Sequence, residues 1–166
     1  MKYSKQVMLI LAVAGSTLFA TRASAQVSRH SQPATPFAVS DFAKLKWLVG
    51  SWAGTAPGES PVYERYQFTN DSTMDISYFG DAAFSRQSGT GRLYLSVGRI
   101  YYTFGPGRWG ASHVADDEIF LIPQVNAHNT FGWKLLSPDS WTATRRSGVS
   151  GRDRVVIYQM TRTAPQ

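Results

Sequence analysis

The stretch Leu48-Val49-Gly50-Ser51-Trp52-Ala53-Gly54-Thr55 sets one large aromatic between two glycines, just ahead of a long series of short alternating segments. Glycine weakens a strand unless another group needs the space its missing side chain leaves. A Gly-x-Trp-x-Gly pattern on the first ordered strand therefore asks for a reason, which the segments that follow it supply. After Trp47 the chain alternates, or breaks on turn residues, at short intervals throughout, which is the pattern of an all-β protein. Ten strands are expected, at about 47–55, 61–69, 72–80, 90–97, 99–105, 108–115, 118–123, 129–136, 140–147 and 153–162. The breaks between them, among them Asn70-Asp71, Gly80-Asp81, Gly98, Gly105-Pro106-Gly107 and Ser137-Pro138-Asp139, supply the backbone angles and local side-chain bonds of tight turns. Links this short favour a single up-and-down antiparallel β-barrel over a Greek-key sandwich, which needs longer returns. Upstream, Ser40-Asp41 starts a short helical turn carrying Phe42 and Leu45 into the first strand.

Residues 1–25 have the form of a secretory signal peptide: Lys2 and Lys5, an apolar run, then Ala23-Ser24-Ala25 as a small-x-small cleavage site. Residues 26–38 are polar and proline-bearing and read as a flexible leader, leaving 39–163 as one barrel domain. The expected location is secreted or periplasmic, with no membrane span after cleavage. The 166-residue chain contains no cysteine, which excludes disulfides, thiolate metal sites, a cysteine nucleophile and a cysteine-linked lipid anchor. Its formal charge of +6 loses Lys2, Lys5 and Arg22 with the signal and falls to +3. The remaining arginines are scattered among strands instead of clustered, so no nucleic-acid partner is expected.

Alternate residues of a strand point to opposite faces. Placing the more apolar set of each strand inside sends Trp109, Trp133 and Trp141 to the lumen, and with them Glu64, Tyr66, Tyr78, Tyr102, His113 and Arg145. Those six polar side chains are the candidate chemistry. Glu64 on an apolar face needs a partner, and parity offers Arg145. Such a pair can anchor a ligand's polar end, supply a general base, or simply hold the fold. His113 can act beside Glu64 or ligate a metal or haem, but no two of the three histidines have metal-ligand spacing, so no metal is expected. No serine sits in a nucleophile elbow, and Gly105-Pro106-Gly107 is not followed by the helix a phosphate loop requires.

Leu48-Val49-Gly50-Ser51-Trp52 resembles the Gly-x-Trp strand that opens lipocalins and related calycin barrels, with the same short helical turn before it. Leu48, Gly50, Trp52 and Gly54 also resemble the first strand of nitrobindin-like haem barrels. The resemblance implies a small ligand-holding barrel whose last strand supplies an arginine to cover the tryptophan and close the narrow end. Arg154, of one parity with Val156, Tyr158 and Met160, is the expected partner of Trp52. The haem-ligating histidine of the nitrobindin-like last strand has no counterpart here, and no cofactor is required. Three readings stand: a carrier of a small, largely apolar ligand lined by Glu64, Tyr66, Tyr78, Tyr102, Trp109, His113, Trp133, Trp141 and Arg145; an enzyme on the same barrel, such as a cyclase, isomerase or lyase working by proton transfer; and a structural barrel with a filled core. The oligomeric state is open.

Overall fold

A computed structural model describes residues 35–149 and 152–164; the expected signal peptide and most of the leader lie outside the described residues. Ten strands close into an antiparallel barrel in which each pairs with its sequence neighbours and the first pairs with the last. They are β1 Gly50–Thr55, β2 Val62–Asn70, β3 Thr73–Phe79, β4 Gln87–Ser96, β5 Arg99–Phe104, β6 Gly107–Val114, β7 Glu118–Val125, β8 Asn129–Ser137, β9 Ser140–Val149 and β10 Arg152–Arg162. Before β1 come a helix, α1, at Val39–Ala43 and a 3-10 turn at Lys44–Leu48. Trp47 therefore belongs to the turn, not to the first strand as expected.

The helical segment plugs one end of the barrel. Its first turn is held by Asp41, whose carboxylate accepts from the Ala38 amide at 2.9 Å and from Lys44 Nζ at 2.8 Å. The lysine bond, then the amide, holds the Asp41 carboxyl below its ordinary value. The cap is thus Ala38 and Asp41, two residues earlier than the Ser40 start read from sequence. Phe42, Leu45 and Leu48 are fully buried against the barrel's end, and the Trp52 indole donates to the Leu48 carbonyl at 2.6 Å. At the leader's end, the Phe37 amide bonds the Gly98 carbonyl at 2.8 Å, tying the chain to the β4–β5 turn.

The register decides which residues share the interior, because directly opposed residues of an antiparallel pair point to the same side. Trp52 stands opposite Glu64 on β2 and opposite Arg162 on β10. The Arg162 guanidinium lies over the Trp52 ring, 4.1 Å from its centre. Arg162 donates as well to the carbonyls of Val49 at 2.8 Å and Pro138 at 2.9 Å, lacing the strap before β1 to the β8–β9 turn. The closing arginine is therefore Arg162, and the expectation of Arg154 is corrected. Both share one parity, but β10 runs antiparallel to β1, so a tryptophan near the start of β1 must meet the end of β10. Arg154 stands opposite Ser147 at the far rim.

The two glycines of the opening stretch now have their reason. Gly50 has φ +125, and a Cβ there would overlap the Arg162 guanidinium; a Cβ on Gly54 would overlap Met160 and Val62. Gly50→Ala is expected to lower stability by roughly 2 kcal/mol, combining backbone strain with displacement of Arg162. Urea denaturation checks this, and an alanine variant as stable as the parent would contradict the account of the motif.

Candidate functional site: the lumen and its rim

Carried around the barrel, the register places Val62, Glu64 and Tyr66 of β2, Ile76 and Tyr78 of β3, Tyr102 and Phe104 of β5, Trp109 of β6, Phe131 and Trp133 of β8, Trp141, Ala143 and Arg145 of β9, and Val156 and Tyr158 of β10 on the inner face. The half nearest the plug is filled. Trp141 meets Trp52 at 5.9 Å, Tyr66 at 6.0 Å and Trp133 at 5.8 Å between ring centres, edge-to-face or tilted. Tyr102 continues the cluster onto Trp133 at 5.4 Å and Trp109 at 5.2 Å. Such contacts bury large apolar area and fix ring positions. No open lumen remains at this level.

Above it the barrel is open to water. Glu64, Tyr78, Phe131, Ala143, Arg145 and Tyr158 all face inward yet are only half-buried, whereas Tyr66, Trp133 and Trp141 beneath them are buried. An inward side chain keeps exposure only if solvent enters the barrel, so these residues line a cup that opens at the rim.

The floor of that cup is polar. Tyr66 donates its hydroxyl to Glu64 Oε2 at 2.6 Å, and the hydroxyls of Tyr78 and Tyr102 share a hydrogen bond at 2.6 Å. Glu64 and Tyr78 are directly opposed across β2 and β3. Glycines make room for this layer, since a Cβ on Gly91 would stand 3.0 Å from the Tyr78 hydroxyl. Burial pushes the Glu64 carboxyl up to about 7, with the Tyr66 hydrogen bond opposing the rise. Burial likewise raises Tyr66 and Tyr78 well above the ordinary tyrosine value, with the Glu64 and neighbouring tyrosine charges acting in the same direction. Tyr102 is raised by burial too, against the pull of its bond to Tyr78. The layer therefore offers three hydroxyls that stay protonated and one carboxyl that exchanges its proton near neutral pH.

One expected site residue is placed differently, and another has a different partner. His113 faces outward, exposed, with Nε2 3.0 Å from Glu118 Oε1. A bulge between Ala111 and His113 shifts the β6 register and turns the histidine out, a reversal that simple alternation does not reveal. Arg145 faces inward as expected, but its acidic neighbour is Glu59, 3.8 Å away, and not Glu64. Glu59 comes from the β1–β2 loop and also bonds Arg154 Nη2. Sequence reasoning missed Glu59 because it lies in a loop, Ala56-Pro57-Gly58-Glu59-Ser60-Pro61, with no periodicity to orient it. The available signal was its being the one acid in that stretch.

Among the described residues no three His, Cys, Asp or Glu side chains group as a metal site. A haem needs an axial ligand in the lumen. His113 faces out, His128 is exposed in the β7–β8 turn, and the described last strand holds no histidine, so the described residues place no histidine in the lumen to ligate one. No described helix is long and apolar enough to cross a membrane. A groove of about 690 Å³ crosses β3 to β5, but the polar side chains along it, Asp75, Ser77, Thr90, Arg92 and Thr103, have outward parity. It is a feature of the outer wall, separate from the polar layer within.

No family model and no curated protein matches the chain. Among solved structures the chain is similar to a redesigned β-barrel, with 13% identity and a TM-score of 0.37 over 71% of this chain and 93% of that one. It is also similar to the protein EF1p2_mFAP2b, solved bound to DFHBI, with 16% identity and a TM-score of 0.37 over 76% of this chain and 100% of that one. The fold assignment rests on the closed strand register and takes nothing from these likenesses.

Proposed function

We propose that the protein is a calycin-type carrier that holds a small, largely apolar ligand in the upper lumen, and that it works outside the cytoplasm after loss of residues 1–25. The observation that carries this reading is the convergence of Glu64, Tyr66, Tyr78 and Tyr102 on one level of an otherwise aromatic interior, beneath walls that remain accessible to water. A barrel built only to be packed has no use for a carboxyl held near neutrality without a cation beside it. Ligand sites combine this apolar lining with a few convergent polar groups. Val62, Tyr78, Phe104 and Phe131 supply the walls for the apolar body, and the floor supplies a donor or acceptor for any polar group that reaches it. Trp52, Trp133 and Trp141 serve the packed base.

The reading of a filled barrel draws on the ring contacts of the lower half, which are structural in either case. Proton transfer by Glu64 remains the chemistry the floor offers if a bound molecule presents an acidic C–H or a leaving oxygen to it.

Titration with an environment-sensitive apolar fluorophore tests the carrier reading. One saturable site per barrel is expected, with affinity falling several-fold between pH 6 and pH 8.5 as Glu64 ionises, and Glu64→Gln flattening that dependence. Uptake that fails to saturate, or that ignores both pH and the substitution, would sink the assignment of Glu64 to the site.

A further inference from the structure

β10 is eleven residues long, but only Gln159–Arg162 pair with β1; the part nearer the rim pairs with β9 alone. β1 stops at Thr55, and the loop 56–61 leads from there to β2. From the loop Glu59 reaches back to β10 and β9. Its side chain is only 18% exposed, unusual for a loop carboxylate, because it is bonded by Arg154 and lies 3.8 Å from Arg145. Tyr158, on the inner face one step further in, has its hydroxyl raised above the ordinary value by burial first and by the Glu59 charge second.

One carboxylate thus answers two guanidiniums. Asp153 has outward parity and Glu64 is bonded to Tyr66, so among the described residues no second acid is paired with either arginine. A guanidinium is a planar fork of donors matched to a carboxylate, and two at the mouth of an apolar cup make a binding place for one. Resting on the carrier reading above, we propose that Arg145 and Arg154 form an anion site at the β1–β10 seam, that Glu59 fills it as the chain's own ligand, and that the cargo is an amphiphile whose carboxylate displaces Glu59 while its apolar body enters the lumen. The loop is then a latch closed by a carboxylate and opened by one. Exchange of one carboxylate for another leaves the charge balance at the arginines unaltered, and the displaced Glu59 gains full hydration.

The experiment compares decanoic acid with decanol, equal in chain length, by displacement of the apolar fluorophore at pH 8. The parent is expected to prefer the acid about tenfold, Glu59→Gln to raise the acid-to-alcohol ratio about a further tenfold by removing the competitor, and Arg154→Gln to lower it about tenfold. Hydrogen exchange at 56–61 should also quicken on binding the acid and not the alcohol. Both Glu59 and Arg154 lie at the rim, and thermal melts of the two variants establish that each remains folded. If acid and alcohol bind alike and Glu59→Gln leaves the ratio where it was, the anion site is overturned while the carrier reading stands. If neither displaces the fluorophore, both fall.

Discussion

Trp52→Ala is expected to lower the stability of the barrel by roughly 3–5 kcal/mol, the usual loss for a large buried aromatic that leaves a cavity. Trp52 is fully buried, touches Trp141 at 5.9 Å and donates to Leu48, so its removal unseats the plug as well as emptying the core. Arg162→Ala should lose about 2 kcal/mol, because its charge-assisted bonds to the carbonyls of Val49 and Pro138 go with it. The two losses should couple by about 1 kcal/mol in a double-mutant cycle, the share that belongs to the guanidinium over the ring. Arg154→Ala, 67% exposed and paired only at the rim, should change stability by no more than about 0.5 kcal/mol. Additive losses at Trp52 and Arg162, or a larger effect at Arg154 than at Arg162, would overturn the closure described here.

Glu64→Gln should make the protein more stable at pH 8 and remove most of its stability change between pH 4.5 and pH 7. The carboxyl rises from 4.5 to about 7 on folding, so the folded state holds its proton more tightly than the unfolded chain. Stability from this group is therefore complete below about pH 4.5 and is lost as pH climbs through about 7, after which it is level. The shift corresponds to at most ~3 kcal/mol, an upper bound because water reaches the half-buried side chain and screens its charge. Glutamine keeps an acceptor for the Tyr66 hydroxyl and carries no charge to desolvate. Chemical denaturation of both proteins from pH 4.5 to 8.5 measures the difference. Parallel curves across that range would mean that Glu64 is solvated as fully in the folded state as in the unfolded one.

The strands were legible because each is short, alternates cleanly and ends on a residue with turn chemistry; all ten expected segments match the observed ones to within three residues at either end, and the first begins three residues late because Trp47 joins the 3-10 turn. Closure by an arginine of the last strand was legible from the likeness of Leu48–Trp52 to a Gly-x-Trp opening strand; that Gly50 and Gly54 make room for Arg162 and Met160 emerges only from the packing. Its partner was within reach too. Parity leaves Arg154 and Arg162 equal, and the antiparallel pairing of first and last strands breaks the tie in favour of Arg162. His113 was beyond parity, because a bulge is a local two-against-one pairing that no alternation pattern announces. Glu59 was beyond it for another reason: loop side chains are oriented by what they meet, and Arg154 lies ninety-five positions away.

The most direct measurement is native mass spectrometry of the folded protein, after incubation with a mixture of medium- and long-chain acids and alcohols, against its mass after denaturation. The expected result is one discrete adduct per chain, of amphiphile size, that is lost when the barrel unfolds. A bare mass under both conditions would contradict a lumen built to hold a ligand and leave a barrel whose aromatic interior is packing alone.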